Sequence, residues 1–336
     1  MKCSGGIIVQ AIALTEFGGP EVLRMQEVPM PACGPDDIVI RVHAAGVNRA
    51  DLLERQGLYP PPPPRPEYQI PGLECAGVVT KVGTRVMRFH EGDRVMALIS
   101  GGGYAQYVAC PAEFAWAVPP ALTDVEAAAI PEAFLTAYDA LFDKAGLAMG
   151  QRVIIHAGAG GVGSAAIQLA VLAGLHVLTT VGTEEKRQRV LSLGAEEAVN
   201  YHRQSFVEAA RTWSAGQGVD AILDFIGANY LEQNMVSLKT GGVLVVIGTL
   251  SGAEAPIHLG QLLGRRITLR GTALRSRPVY DKMRLIQTFQ ERTGEFFQSG
   301  RLGAIIDRTF PLAHADEAHR YLVTNQTIGK VILTVD

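Results

Sequence analysis

Two patterns of apolar residues divide the chain. In its first third, short runs rich in β-branched and aromatic residues (IIVQAIAL, DDIVIRVHAAGV, CAGVVTKVG, DRVMALI, YAQYVAC) are separated by Gly, Pro and Asp. Strands this dense, with few helical periods among them, predict a small, partly closed barrel. From Gln151 the pattern changes. RVIIHA, HVLTTV, AVNY, AILDFIG, VLVVIGTL and RITLRGT alternate with helical segments such as EEKRQRVLSL, RQSFVEAARTW and NYLEQNMVSL. VIIHA and VLVVIG are continuous apolar runs, as strands buried on both faces require. Six such strands with crossover helices predict a doubly wound parallel sheet, an α/β architecture. Between the two regions, residues 122–147 read as two helices, the first capped by Thr123 or Asp124 and the second set off by Pro131. A helix near 280–299 and the strands IIDRTF and KVILTV end the chain.

Composition narrows the function. A length of 336 residues suggests two domains. With 48% hydrophobic and 19% charged residues and a net charge of −3, nothing calls for nucleic acid or an anionic membrane as partner. No apolar run is long enough to span a bilayer. The apolar patch Ile7 to Leu14 is too short for a signal-peptide core and reads as a first strand. Cys3, Cys33, Cys75 and Cys110 lack metal-ligand spacing and are too few for a disulfide framework, so a reducing cytoplasm is expected. No HExxH motif is present, and His314 and His319 stand alone.

The chemistry centres on residues 153–170, VIIHAGAGGVGSAAIQLA. Strand, glycine cluster and helix follow in order, and Gly158-x-Gly160-x-x-Gly163 fits the dinucleotide fingerprint. The glycines allow a sharp turn, close approach of backbone to a pyrophosphate, and tight helix–strand contact. The helix N-terminus then offers unpaired N–H groups and a partial positive charge.

A second motif makes a resemblance specific. Residues 71–95 carry PG-x-E-x-x-G-x-V-x-x-V-G…GD-x-V through Pro71, Gly72, Glu74, Gly77, Val79, Val82, Gly83, Gly92, Asp93 and Val95. This resembles the signature of the medium-chain dehydrogenase/reductase superfamily. In its zinc alcohol dehydrogenases the position of Leu73 is a zinc-binding His, and AAGVNRADL (44–52) is similar to the segment carrying a zinc Cys, where Asn48 stands here. The structural-zinc lobe is missing, because Val95 passes almost directly into GGGYAQY. The resemblance is therefore to the zinc-free quinone oxidoreductases, the zeta-crystallin-like family. Through GVNRADLLERQGLY, IPEAFLTAYDAL, HAGAGGVG, AAIQLA, ALRSR and NQTIGKVIL it is closest to the tumour-suppressor-inducible subgroup.

The resemblance implies a GroES-like partly open barrel over 1–133 and 273–336 and a Rossmann domain over 134–272. It implies that Asn48 orients the nicotinamide or substrate and that Tyr59 lies near the substrate. A second tyrosine of some relatives falls at Leu53. Thr136 matches a position near the nicotinamide. Gly160, Gly161 and Val162 match pyrophosphate contacts, and Ile226 and Leu250 match residues flanking the adenosine and nicotinamide ribose. Leu274, Arg275 and Asn325 match further cofactor contacts, while Arg277 faces either cofactor or substrate. Relatives join two sheets at the edge strand 265–272, which implies a homodimer. GLYPPPPPRP (57–66) borders the cleft in the family; by itself the run Pro60–Pro64 reads either as a stiff rim loop or as a ligand for a proline-reading domain.

NADPH is the expected cofactor. An NAD enzyme places an acid at the end of the second strand. Here TTVGTEEK puts Gly182 there, with Lys186 close behind, and relatives pair the 2′-phosphate with such a Lys and with a Tyr matching Tyr201. Glu184 and Glu185 read as first-turn acids favoured by the helix dipole. The expected activity is zinc-independent hydride transfer from NADPH to a quinone, with the chemistry carried by the cofactor. No acid–base pair stands out among the matched residues. A reductase of α,β-unsaturated carbonyls, a non-catalytic NADPH-binding sensor or structural protein, and a proline-rich adaptor are the alternatives.

Overall fold

The computed structural model describes residues 7–61, 63, 64 and 66–336. Its contacts separate into two compact units, Met1–Glu132 with Arg275–Asp336, and Ala133–Leu274.

The first unit opens with β1 (Ile8–Ile12) paired antiparallel to β2 (Met25–Pro29). The long β3 (Asp37–Val47) leads into α1 (Arg49–Arg55), and β4 (Glu74–Val82), β5 (Arg94–Leu98), β6 (Tyr107–Pro111) and β7 (Ala115–Ala117) follow. Then come α2 (Asp124–Ala127) and α3 (Pro131–Tyr138), the latter running into the second unit. Thr123 caps α2 through the Glu126 N–H.

The second unit holds β8 (Arg152–Ile155), α4 (Gly161–Leu172), β9 (His176–Val181), α5 (Glu184–Ser192), β10 (Glu197–Asn200), β11 (Val219–Asp224), β12 (Leu238–Val246) and β13 (Thr268–Gly271). The chain returns to the first unit with a twenty-residue helix, Val279–Gln298, and with β14 (Ile306–Pro311) and β15 (Lys330–Thr334).

In the first unit the sheet runs β14-β15-β3-β4-β5-β7. β3 changes partners halfway. Residues 37–41 pair with β6 on the side where residues 44–47 pair with β15, and β4 takes the other side. The exchange curls the sheet, and its inner face gathers Ile38, Ile40, Val42, Val95 and Val331 into one core. The second unit's sheet is all parallel, in the order β10-β9-β8-β11-β12-β13, the doubly wound arrangement the apolar pattern predicts. Val153, Ile154 and Ile155 of β8 are fully buried, as a central strand covered on both faces must be.

Some elements differ from expectation. α1 reads poorly as a helix because its buried positions include Asp51, Glu54 and Arg55, which inverts the usual amphipathic pattern. The helix after Pro131 continues over Asp139–Lys144 as a wider π-type turn. There Asp139, fully buried, pairs with Lys144 and accepts a hydrogen bond from Thr272. NYLEQNMVSL is divided into a tight turn, Ala228–Tyr230, and a helix, Leu231–Ser237.

Candidate active site

A chain of buried polar groups runs through the first unit and meets at Asn48. The Asn48 amide donates to Glu74 Oε1 at 2.9 Å, and its carbonyl accepts from Lys330 Nζ. Lys330 also pairs with Glu74 at 2.6 Å. Glu74 is fully buried and Lys330 nearly so. Gly46 makes this possible, since a Cβ there would stand 2.1 Å from Glu74 Oε1. The glycine of AAGVN thus clears the space that the glutamate of PG-x-E fills.

The other arm runs through Asp51. Its carboxyl accepts from the Asn48 N–H at 2.7 Å, from Tyr104 Oη at 3.0 Å and from the Gly72 N–H at 3.3 Å. Because the Tyr104 hydroxyl donates to Asp51, its oxygen accepts from His319 Nε2–H at 3.0 Å. Burial pushes the Asp51 carboxyl up to about 7, with Glu54 adding to the rise. Burial and the nearby Arg55 guanidinium bring His319 down to about 3, so its ring is neutral.

Arg275 organises the adjoining side. Its guanidinium donates to Ser100 O at 2.9 Å, to Tyr59 O at 3.0 Å and to Glu54 Oε1 at 2.9 Å, and it lies 5.3 Å from the centre of the Tyr59 ring. All three guanidinium nitrogens are engaged within the first unit, and the residue is a buried clamp on Tyr59. Burial first, and the Glu132 carboxylate next, push the half-buried Tyr59 phenol up to about 12. Beside the clamp lies a cavity of about 470 Å³ lined by Pro63, Pro64, Ile70, Ile99, Phe114 and Arg275. Pro62, within the Pro60–Pro64 run, and Arg65 lie outside the described residues. Leu53 is exposed. Asn325 adopts φ +56°, and its amide oxygen accepts from Arg49 Nη2 at 2.6 Å.

The remaining matched residues lie in the second unit, mostly at the C-terminal ends of parallel strands, where open α/β sheets bind their ligands. Gly160 caps α4, and Gly161 and Val162 form its first turn. A Cβ on Gly158 would meet Thr179 Oγ1 at 1.9 Å, and one on Gly163 would meet Ala157 O at 2.4 Å, so the outer glycines serve close contact inside the fold. At Gly160 a Cβ would meet Ala157 O at 3.3 Å, close but looser than at the two outer glycines. After β9, a Cβ on Gly182 would lie 2.6 Å from Tyr201 Oη. A glycine backbone, a tyrosine hydroxyl and Lys186 in the first turn of α5 therefore form one corner. A 2′-phosphate fits a corner of this chemistry, and an acidic side chain at Gly182 does not. The loops after β11 and β12 are tied by Leu250 N–H to Phe225 O at 3.2 Å and by Ser251 N–H to Ile226 O at 2.8 Å, which sets Ile226 beside Leu250. Thr136 and Leu274 are buried.

Two groups of the network escaped the sequence reading. Lys330 sits in NQTIGK, but a lysine opening a strand looks solvated. Glu132 reads as an ordinary acid in a helix's first turn. Among the described residues, no group of three or more His, Cys, Asp or Glu is placed to hold a metal ion, and Leu73 lies in the apolar interior.

Comparison with known proteins agrees with the sequence motifs. The model of the alcohol dehydrogenase GroES-like domain matches residues 34–120, and that of the zinc-binding dehydrogenase matches 161–291. Quinone oxidoreductase of Rattus norvegicus is 32% identical over 336 residues, covering 98% of this chain and 99% of the relative. A 2-haloacrylate reductase of a Burkholderia species is 33% identical, covering 97% and 99%. Among solved structures, Escherichia coli quinone oxidoreductase complexed with NADPH superposes with a TM-score of 0.88 at 30% identity, covering 97% of this chain and 99% of that one. The chain belongs to the quinone oxidoreductase family of the medium-chain dehydrogenase/reductase superfamily.

Proposed function

We propose that the protein reduces small quinones with NADPH. The observation that carries this reading is the corner of Gly182, Lys186 and Tyr201, shaped for a 2′-phosphate, in a chain alignable end to end with quinone oxidoreductases. NADPH, when bound, supplies the hydride. Gly160, Gly161 and Val162 receive its pyrophosphate at the N-terminus of α4, and Ile226 and Leu250 flank its ribose, with Thr136 toward the nicotinamide and Leu274 and Asn325 as further contacts. The first unit supplies the acceptor's surroundings. Arg275 fixes Tyr59, whose hydroxyl donates a hydrogen bond to the acceptor's oxygen as charge collects there. Asn48 spends one amide N–H on Glu74 and keeps the other for ligand, its orientation locked by Lys330. The apolar cavity beside Arg275 accommodates the substituents of the ring.

A reductase of α,β-unsaturated carbonyls is the second reading, favoured by the 2-haloacrylate reductase among the relatives. Initial rates of NADPH oxidation with a small quinone and with an enone, on chelator-treated protein, separate the two. Faster turnover of the quinone supports the first reading, and faster turnover of the enone the second. NADPH binding without turnover of either identifies a cofactor-binding sensor or structural protein.

The assembly we infer is a homodimer. β13 has β12 as its one ladder partner among the described residues, and Leu259, Leu263 and Leu269 nearby are exposed. Sedimentation of the protein and of Leu263→Glu tests it, with a monomeric variant expected. No helix among the described residues is long and apolar enough to cross a membrane. Cys33, Cys75 and Cys110 are free thiols, which suits a reducing compartment such as the cytoplasm.

A further inference from the structure

Reduction of a quinone by hydride leaves one proton to be supplied, and none of the residues matched to a cofactor or substrate contact is a carboxylic acid. Glu132 lies within electrostatic reach of Tyr59, the residue expected beside the acceptor. Its own N–H donates to Glu74 Oε2 at 2.8 Å, which pins the first turn of α3 against β4. The residue as a whole is half-buried. Among the described residues, no hydrogen bond or ion pair holds that carboxyl. Thr136, expected near the nicotinamide, lies four residues on, on the same helix face and one turn away.

We propose that Glu132 is the proton donor of the reaction, delivering its carboxyl proton to the acceptor oxygen that gains charge as hydride arrives. The balance closes. The acceptor takes two electrons and one hydrogen as hydride and the second hydrogen as the Glu132 proton, and the carboxylate is reprotonated from water.

The surroundings keep this proton in place near neutral pH. Burial is the chief cause, and the carboxylates of Glu74 on β4 and Asp51 on α1 add to it, while Lys330 on β15 and Lys282 on the helix Val279–Gln298 oppose; the result is about 8. Tyr59, the other acidic hydrogen nearby, is pushed up to about 12. A reduced quinone oxygen is a phenolate, whose conjugate acid ordinarily lies near 10. Proton transfer from Glu132 to such an oxygen runs downhill, and from Tyr59 uphill. The two groups therefore divide the work: Tyr59 hydrogen-bonds and Glu132 donates.

The proposal rests on the quinone reductase reading, and the test separates their failures. In the wild type, kcat for a small quinone should fall above about pH 8, as Glu132 ionises. Glu132→Gln keeps the backbone bond to Glu74 and should lower kcat at least about 100-fold, remove the alkaline limb, and leave NADPH affinity and melting temperature unchanged. Glu132→Asp should restore part of kcat together with an alkaline limb, which a merely structural role would not do. Wild type active, with Glu132→Gln matching it in kcat and pH profile, overturns the proposal alone. Wild type inactive on quinone and enone overturns the proposal and the reading together. If Glu132→Gln does not fold, Glu132→Asp decides: activity without an alkaline limb overturns the assignment.

Discussion

Lys330→Met should be far more harmful than the loss of one surface-like cation. Lys330 Nζ lies 2.6 Å from Glu74 Oε1, and both side chains are buried. At an effective dielectric of about 20, that separation corresponds to roughly 6 kcal/mol of attraction. The net loss is smaller, because forming the pair has already cost both groups their hydration. Breaking a buried pair by removing one partner costs about 3–5 kcal/mol, which sets the expected destabilisation. Pairing Lys330→Met with Glu74→Gln buries no charge and should recover about 2 kcal/mol or more of the loss. Trp116 is buried in the first unit, so fluorescence-detected denaturation in a Trp213→Phe background reads that unit. A double-mutant cycle with no coupling, or a loss below about 1 kcal/mol for Lys330→Met, would refute the argument that Glu74 is ionised and held by Lys330.

Gly182→Asp should push Tyr201 aside and set a carboxylate against the 2′-phosphate. A charge about 6 Å away costs on the order of 1–3 kcal/mol, so NADPH affinity should fall ten- to a hundredfold while NADH affinity holds or rises, as fluorescence titration of both will show. Asp51→Asn should gain stability relative to wild type as pH rises. The folded carboxyl titrates near 7 against an ordinary 3.8, so its burial is free below about pH 4 and costs progressively more up to about pH 7, reaching of order 4 kcal/mol. Parallel denaturation curves at pH 5 and pH 8 will show whether the difference widens as expected.

What the sequence reveals follows from which patterns obey simple periodicity. β8 and β12 are continuous apolar runs because helices cover both faces, and a sheet of that kind is legible from composition alone. The fingerprint glycines are legible because Gly158 and Gly163 have no room for a Cβ. α1 is not, since Asp51, Glu54 and Arg55 point inward to partners supplied by Gly72, Gly18 and Arg275, far away in the chain. The same holds for Lys330, which is 256 residues from Glu74. Polar residues paired over such distances look solvated in one dimension. Arg275 is a related case. Its pairing with Glu54, 221 residues away in the chain, is visible only in the fold. Glu132 follows Pro131 like any first-turn acid, and its raised pKa comes from burial first and then from Glu74 and Asp51, which only the fold brings near it.

A single turnover tests the central claim most directly. NADPH is bound to the protein in slight deficit, its fluorescence recorded, and one equivalent of a small quinone added. The account predicts enhanced fluorescence on binding, stronger for NADPH than for NADH, that is lost within one turnover as hydroquinone appears. Bound NADPH that keeps its fluorescence in the presence of quinone, or NADH bound as tightly as NADPH, would contradict it.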